Sequence, residues 1–431
     1  MSNYKDTIYA LSTPTGKSAI AIIRISGKQS LEVLKKISLI KKILPNKTRL
    51  TFLKFKEEII DHVLVVFYKK PKSFTGEEMV EINCHGSTAI ITKISNILET
   101  LGVRLAEPGE FTRRSLMNDK LDLPQTEGLV DLINSETEKQ RSMAISVLSG
   151  KLNMFVNEIS GQLRLMLANT EALIDFSDED LPRNVLSNVL EQNKNIIKKI
   201  EKEIINSEIS KTIRDGFVVS LVGKPNTGKS SFINYISKKE VSIVTNIPGT
   251  TTDAVTSTID IGGYKFTFID TAGLRKYKNK IEEIGIKKTK EIILNSDLSL
   301  VFLEKKETKK YIEIKNKIFV RSKLDKRRVL RVEKNTLNIS SKTGEGTTKL
   351  LGKIKKKLIK NINNEPILSR ERHLGIMRRV LFELKSIKSN DNLDITAFKF
   401  REALRISLEI NQKFDIEGVL DIIFKDFCIG K

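Results

Sequence analysis

The eight residues GKPNTGKS at 223–230 constrain the fold of this 431-residue chain more than any other stretch. They fit the pattern G-x-x-x-x-G-K-[ST], follow the apolar run FVVSLV and lead into a helical stretch. A loop of this kind wraps phosphate oxygens in successive backbone N–H groups. It needs a strand behind it and a helix N-terminus ahead of it. That context predicts a doubly wound α/β domain. From about 213 to 364, YKFTFID, LSLVFL, KIFV and LNIS read as further strands between helical segments.

The flanks have other periods. From 1 to about 118, TIYALST, AIAIIRIS, HVLVVFY and MVEINCHG read as strands and AIITKISNILETL at 89–101 as a helix, which makes an α+β domain. From about 119 the period becomes 3.6. Ile145, Leu148, Leu152, Phe155, Ile159, Leu163 and Leu167 form one apolar stripe, and Ile196, Ile197, Ile200, Ile204 and Ile205 another. No proline interrupts 125–181, so long helices are predicted. The helical pattern resumes from 365 to the end. The expected organisation is an N-terminal domain at 1–118, a helical domain of 119–212 with 365–431, and an α/β domain at 213–364 inserted into it.

With 39% hydrophobic residues the chain is globular rather than disordered. The start, MSNYKDTIYALSTPTG, lacks the features of a secretion signal, and runs such as AIAII are too short to cross a bilayer. A soluble cytoplasmic protein without membrane contact is expected. The two cysteines, Cys84 and Cys428, and three histidines lack zinc or disulfide spacing. Cys84 and His85 are adjacent on a strand and so point to opposite faces. The net charge of +22, from 75 basic and 53 acidic residues, favours contact with a polyanion. Yet IIKKIEKEII and LLGKIKKKLIKN alternate lysine with isoleucine as solvated helix faces do, and no aromatic cluster stands ready to stack bases. No surface is assignable from charge alone.

The remaining nucleotide-site residues follow the loop in order. Lys229 is expected to reach the β- and γ-phosphates and Ser230 to ligate Mg²⁺. Asp270, ending YKFTFID, is the carboxylate on the metal side, and a backbone N–H at Gly273 would meet the γ-phosphate. GTTTD at 249–253 holds Thr251, the candidate second Mg²⁺ ligand. SKLD at 322–325 and SSKTGEG after LNI lie where GTPases read guanine. Asp325 would accept from N1–H and N2–H₂ of guanine, and adenine would leave it unpaired, which opposes an ATPase. Asn226, Thr227, Gly228, Ser231, Thr245, Thr250, Thr271, Ala272 and Lys323 complete the expected nucleotide-contact set. Ser322 replaces the usual asparagine and is expected to brace base and loop only in part. Leu274 stands where a Ras-type GTPase has the glutamine that orients water.

From IAIIRISG and PGEFTRRSLMNDKLDLPQTEG at 108–128, through GKPNTGKSS, IPGTTTD and DTAGLR, to the tail FCIGK, the chain resembles the MnmE (TrmE) family of bacterial tRNA-modifying GTPases. It is short for that family, chiefly between LVFL and SKLD. The resemblance implies a K⁺ ion beside the phosphates, held by Asn226, Thr245, Ile247 and Thr250, where other GTPases receive an arginine finger. A fixed cation there is worth a rate factor of about 10³–10⁵. It also implies that Glu282 helps to place the water, although by residue type Glu282 reads as a solvated helix residue. Arg275 is a rival finger in cis.

The resemblance further implies a tetrahydrofolate site, for 5-formyl- or methylene-tetrahydrofolate, formed by Arg24, Glu81, Lys120 and Lys431. A carboxylate suits pterin N–H groups, and cations suit the glutamate tail. Cys428 is either a nucleophile or acid/base in the modification step, or a small buried hydrophobe beside Phe427. The family works as a homodimer held by its N-terminal domains and as a heterotetramer with a FAD-containing MnmG-type (GidA) protein. The implied reaction places an aminomethyl or carboxymethylaminomethyl group on C5 of the wobble uridine of tRNA, using a folate-borne carbon. The alternative is a non-enzymatic RNA-binding GTPase switch of the ribosome-assembly type.

Overall fold

The structure, a computed structural model, describes residues 6–176, 184–239, 255–271, 290–303, 311, 313–326, 336–359, 366–411 and 430. It forms two compact units. One is Met1–Val130 with Val147–Asn157 and Leu408–Lys431; the other is Asp131–Ser146 with Glu158–Ser407. The second unit therefore holds the α/β domain together with helices on both sides of it in sequence.

The first unit is built on a six-stranded sheet of order β3-β4-β5-β2-β1-β6. Its strands are β1 (Ile8–Leu11), β2 (Ser18–Ser26), β3 (Thr48–Phe55), β4 (Glu58–Tyr68), β5 (Met79–Gly86) and β6 (Arg104–Leu105). All neighbours are antiparallel except β1 and β6. Period-2 alternation sends Val63, Val65, Val80 and Ile82 to one face. There they meet Val33 and Leu34 of α1 (Ser30–Ile37) and Ile94 and Leu98 of α2 (Thr88–Thr100). The other face is open over β2 to β5. Leu50 (62% exposed) pairs in register with Leu64 (43%), and Ile20 on β2 is 62% exposed. Near β1 that open face is closed by α3 (Glu110–Met117), whose Phe111 packs against Ile8, Ala10 and Ala106.

A charged network ties α3 to the sheet. The Arg114 guanidinium, 1% exposed, donates to Asp6 Oδ1 at 2.8 Å, Glu110 Oε1 at 2.8 Å and Glu77 Oε2 at 3.1 Å. The Glu110 carboxylate also takes Arg104 Nη2 at 2.8 Å and the Glu107 N–H at 2.9 Å. Burial alone would raise the Glu110 carboxyl, but these hydrogen bonds outweigh it and hold the group below its ordinary range.

The helices that follow are α4 (Leu123–Ile133), α5 (Glu138–Leu148) and α6 (Lys151–Asp175). One expectation fails here. The stripe from Ile145 to Leu167 is not one helix face, because Gly150 adopts φ +87° and breaks the run between α5 and α6. Leu152, Phe155, Ile159 and Leu163 are buried, whereas Ile145 is exposed. A missing proline did not guarantee continuity, since a glycine in the left-handed region ends a helix as well.

In the second unit, α7 (Val185–Ser207) and α8 (Ser210–Asp215) precede a sheet of order β12-β11-β10-β7-β9-β8. The strands are β7 (Phe217–Gly223), β8 (Val255–Ile261), β9 (Tyr264–Asp270), β10 (Leu298–Phe302), β11 (Lys317–Arg321) and β12 (Thr336–Asn338). Only the β8–β9 hairpin is antiparallel. This is the Ras-like doubly wound arrangement, with α9 (Lys229–Lys239) and α10 (Thr347–Leu358) against the sheet. The helices α11 (Glu371–Lys385) and α12 (Leu393–Leu408) follow, and Asn193 of α7 donates to the Leu384 carbonyl of α11 at 3.2 Å.

The start of α5 is docked on the β8–β9 hairpin. The Lys139 N–H donates to the Gly263 carbonyl at 3.1 Å, and Glu136 pairs with Lys265. Gln140 Nε2 donates to the Arg214 carbonyl at 2.7 Å, and Met143 enters the core beneath the sheet. Among the described residues no helix is long and apolar enough to cross a membrane.

Candidate functional site

In a doubly wound sheet, ligands bind beyond the carboxyl ends of the strands where the strand order reverses. Here those ends are Gly223 of β7 and Asp270 of β9, with β11 and β12 ending alongside. The loop after β7 takes a tight path. Asn226 has φ +60° and Gly228 φ +93°. A Cβ on Gly228 would lie 2.5 Å from Ser322 Oγ, so only glycine fits there without displacement.

Lys229 opens α9 and is buried. Its ammonium donates to the carbonyls of Gly223 at 2.9 Å and Lys224 at 2.8 Å, so the charge is held inside the loop. Thr227 Oγ1 donates to the Lys224 carbonyl at 2.8 Å and stiffens the same turn. Ser230 Oγ lies 2.6 Å from Asp270 Oδ2, joining the expected metal-side hydroxyl and carboxylate. Ser231 is exposed on α9. Thr271 is buried and donates its hydroxyl to the Leu221 carbonyl at 2.8 Å, so its side chain braces β7.

The turn after β11 reaches back to the loop. Ser322 is buried and its hydroxyl donates to the Thr227 carbonyl. Lys323, at φ +61°, donates Nζ to the Asn226 carbonyl at 2.7 Å. Sequence reasoning expected Ser322 to brace the loop only partly; one hydroxyl makes the tether directly to backbone. Asp325 is exposed at the same turn, and Ser340 Oγ donates to its Oδ1 at 2.8 Å. Ser340 also receives the N–H groups of Lys342 and Thr343 at 3.3 and 3.2 Å. Its role was missed, although SSKTGEG carried the signal: a serine two residues past a strand end is placed to close a turn.

A second polar site lies on the open face of the N-terminal sheet. Arg24 and Glu81 are direct cross-strand partners. Arg24 Nε and Nη2 donate to Glu81 Oε1 at 3.0 and 2.8 Å, and the Tyr68 hydroxyl donates to Oε2 at 3.1 Å. Burial, and then the Glu81 carboxylate, raise the Tyr68 phenol above its ordinary range. The guanidinium lies 5.4 Å from the ring centre of Phe74 and 5.8 Å from that of Phe111. Lys120 is exposed after α3, with its side chain beside Gly76, two residues beyond Phe74. Ser12 Oγ donates to the Gly430 carbonyl at 3.0 Å, which sets that residue against the end of β1. Tyr68, Phe74 and Phe111 were not anticipated; only the alternation in β4 hinted that Tyr68 shares a face with Glu81.

Cys84 faces the core, and burial pushes its thiol up to about 11. His85 is exposed on the opposite face, with Nδ1 2.7 Å from Asp61. Among the described residues no group of three or more His, Cys, Asp or Glu gathers as metal ligands do. The candidates Thr245, Ile247, Thr250, Thr251, Ala272, Gly273, Arg275, Glu282, Cys428 and Lys431, and Leu274 with them, lie outside the described residues.

Comparison with known proteins matches the sequence of this chain over nearly its whole length. A family described as the GTP-binding protein TrmE N-terminus covers residues 7–120, and the MnmE helical domain covers 123–428. The tRNA modification GTPase MnmE of Roseobacter denitrificans is 37% identical over 436 residues, spanning 99% of this chain and 100% of that protein. Its counterpart in Rickettsia bellii is 35% identical over 444 residues, with the same shares. The G domain of the T. maritima FeoB iron transporter is 25% identical and covers 33% of this chain and 98% of its own, but its TM-score of 0.26 adds nothing to the assignment. The chain belongs to the MnmE (TrmE) family of tRNA modification GTPases.

Proposed function

We propose that this chain is a GTPase of tRNA modification whose hydrolysis is activated by K⁺. The observation that carries this reading is the gathering of Lys229, Ser230 and Asp270 at one strand-to-helix loop, with Asp325 on the turn tethered to it. The buried Lys229 ammonium suits phosphate oxygens better than the two carbonyls that now hold it. The Ser230 hydroxyl and Asp270 carboxylate form an all-oxygen pair fit for Mg²⁺, with Thr251 as its further ligand. Asp325 accepts from the guanine edge, and Lys323 flanks it. Gly273, three residues beyond Asp270 in sequence, offers its N–H to the γ-phosphate.

Leu274 has no group to hold water, and Glu282 takes that task, orienting the attacking oxygen toward the γ-phosphorus. The Asn226 side chain, with Thr245, Thr250 and the Ile247 carbonyl, holds the K⁺. When bound, that cation supplies fixed positive charge where negative charge develops in the transition state. The open Asn226 position, in a left-handed conformation at the rim of the loop, fits this role.

The N-terminal site suits a reduced folate. Glu81 offers carboxylate oxygens to pterin N–H groups, and the half-buried Phe74 ring borders the pair, 5.4 Å from the Arg24 guanidinium. Arg24, Lys120 and Lys431 take the anionic tail. The folate, as the 5-formyl or methylene form, supplies the one-carbon unit, and Cys428 acts as nucleophile or acid/base in the transfer. The exposed apolar side chains Ile20, Leu50 and Leu64 on the open face support a homodimer joined through this sheet. Two such chains then work with a FAD-containing MnmG-type partner, in the cytoplasm, at C5 of the wobble uridine.

Two measurements test the reading. GTP turnover should be far faster in K⁺ than in Na⁺ at equal ionic strength; equal rates rule out cation activation. Nucleoside analysis of tRNA from cells with and without the chain should differ at the wobble uridine, and identical profiles exclude the modification role.

A further inference from the structure

Two lysine-rich runs, IIKKIEKEII with two glutamates and LLGKIKKKLI with none, become different surfaces in the fold. The first lies in α7, where Glu191, Glu201 and Glu203 accompany the lysines. There Lys199 pairs with Glu158, and Glu201 with Lys385. The second forms most of α10, TTKLLGKIKKKL, with five lysines and no acidic residue. Its apolar side, Leu350, Leu351 and Ile354, is buried against the sheet. Lys349, Lys353 and Lys356, spaced i, i+4, i+7, are exposed along one stripe. Among the described residues none of these three forms an ion pair.

Helix stability does not account for this pattern. Cations in the last turn complement the helix dipole, which covers Lys355, Lys356 and Lys357. Lys349 is near the wrong end, and Lys349 repels Lys353 one turn away. Gly352 sits within the stripe with nothing within 4 Å of where a Cβ would be, so an elongated ligand could lie close to the backbone. At 1.5 Å per residue the stripe runs about 10 Å. Over that length of duplex axis a nucleic-acid strand carries about three phosphates.

We propose that the outer face of α10 is an RNA-backbone contact surface, with Lys349, Lys353 and Lys356 neutralising phosphates of the tRNA substrate. The proposal rests on the tRNA reading above and adds the place where the tRNA is held. An anionic membrane fits less well, because lipid binding needs apolar side chains to insert and those of α10 are buried. With no aromatic residue on α10, the face positions RNA without reading its bases.

The test uses the full-length chain and fluorescently labelled unmodified tRNA, titrated over a series of salt concentrations. The K349Q/K353Q/K356Q variant should lower affinity by about tenfold or more at 0.1 M salt. It should also flatten the slope of log affinity against log salt by about 2–3. A matched variant on α7, K194Q/K198Q/K202Q, should change affinity by less than about threefold, because that helix carries its own acids. Thermal melting establishes that each variant is folded.

A folded α10 variant that binds tRNA like the wild type, or equal losses in both variants, overturns the proposal while leaving the tRNA reading standing. Loss confined to binding of anionic vesicles or of the FAD-containing partner overturns it too. If the wild-type chain itself binds no tRNA, both readings fall together.

Discussion

Replacing Ser322 with alanine tests the tether between the base-side turn and the phosphate loop. The hydroxyl donates to the Thr227 carbonyl across 95 residues of sequence, and both residues are buried. A neutral hydrogen bond contributes about 0.5–1.5 kcal/mol net, and about 1–3 kcal/mol if the carbonyl is left buried without a donor. The α/β domain should therefore lose about that much stability. The loop also loses part of its preformed shape, so a smaller fraction of molecules is ready for nucleotide, and apparent affinity falls by that fraction. At 1.4 kcal/mol per tenfold, the net range corresponds to about 2- to 12-fold weaker binding. Equilibrium titration with a fluorescent guanine nucleotide measures the affinity and a melting curve the stability. Ser322→Asn, whose Nδ2 can donate to the same carbonyl, should restore both. If S322A binds and melts like the wild type, the loop does not depend on this hydroxyl and the reasoning is wrong.

Two more perturbations address the N-terminal unit. Arg114→Met leaves Glu110 and Glu77 without their buried cation, at a cost of about 3–5 kcal/mol. Because Glu110 and Asp6 are held below their ordinary ranges, this stabilisation is complete above their unfolded values of 4.5 and 3.8. It is lost as pH falls through the lower folded values. The melting difference between wild type and R114M should shrink as pH drops from 7 toward 3; a gap that stays constant contradicts the network. Leu64→Asp puts a charge in the centre of the open apolar face, where the protomer leaves Leu64 exposed. Light scattering should then report a folded monomer in place of a dimer, and an unchanged dimer would show that the subunits meet elsewhere.

Much of this protein is legible in its sequence. The strand–loop–helix path through GKPNTGKS depends on residues adjacent in sequence, so spacing and glycine placement announce it. The strands ending at Gly223 and Asp270 follow from their apolar alternation, and the metal-side pair Ser230 and Asp270 from their positions in the motif. Relations set by register or by distant packing were not legible. The antiparallel β8 and the strand β3 were passed over because their alternation is weak. The break at Gly150 was hidden by an unbroken apolar period. Arg24 meeting Glu81 depends on how β2 and β5 align, and Ser322 meeting Thr227 on how two turns approach beyond the sheet. The acids within IIKKIEKEII are visible in the sequence, but only the fold shows that Lys199 and Glu201 of α7 find partners on other helices while Lys349, Lys353 and Lys356 of α10 line one exposed stripe. Local backbone preference is written in neighbouring residues. Which charges and hydroxyls end up sharing a few ångströms is settled only when sheets and helices close on a common core.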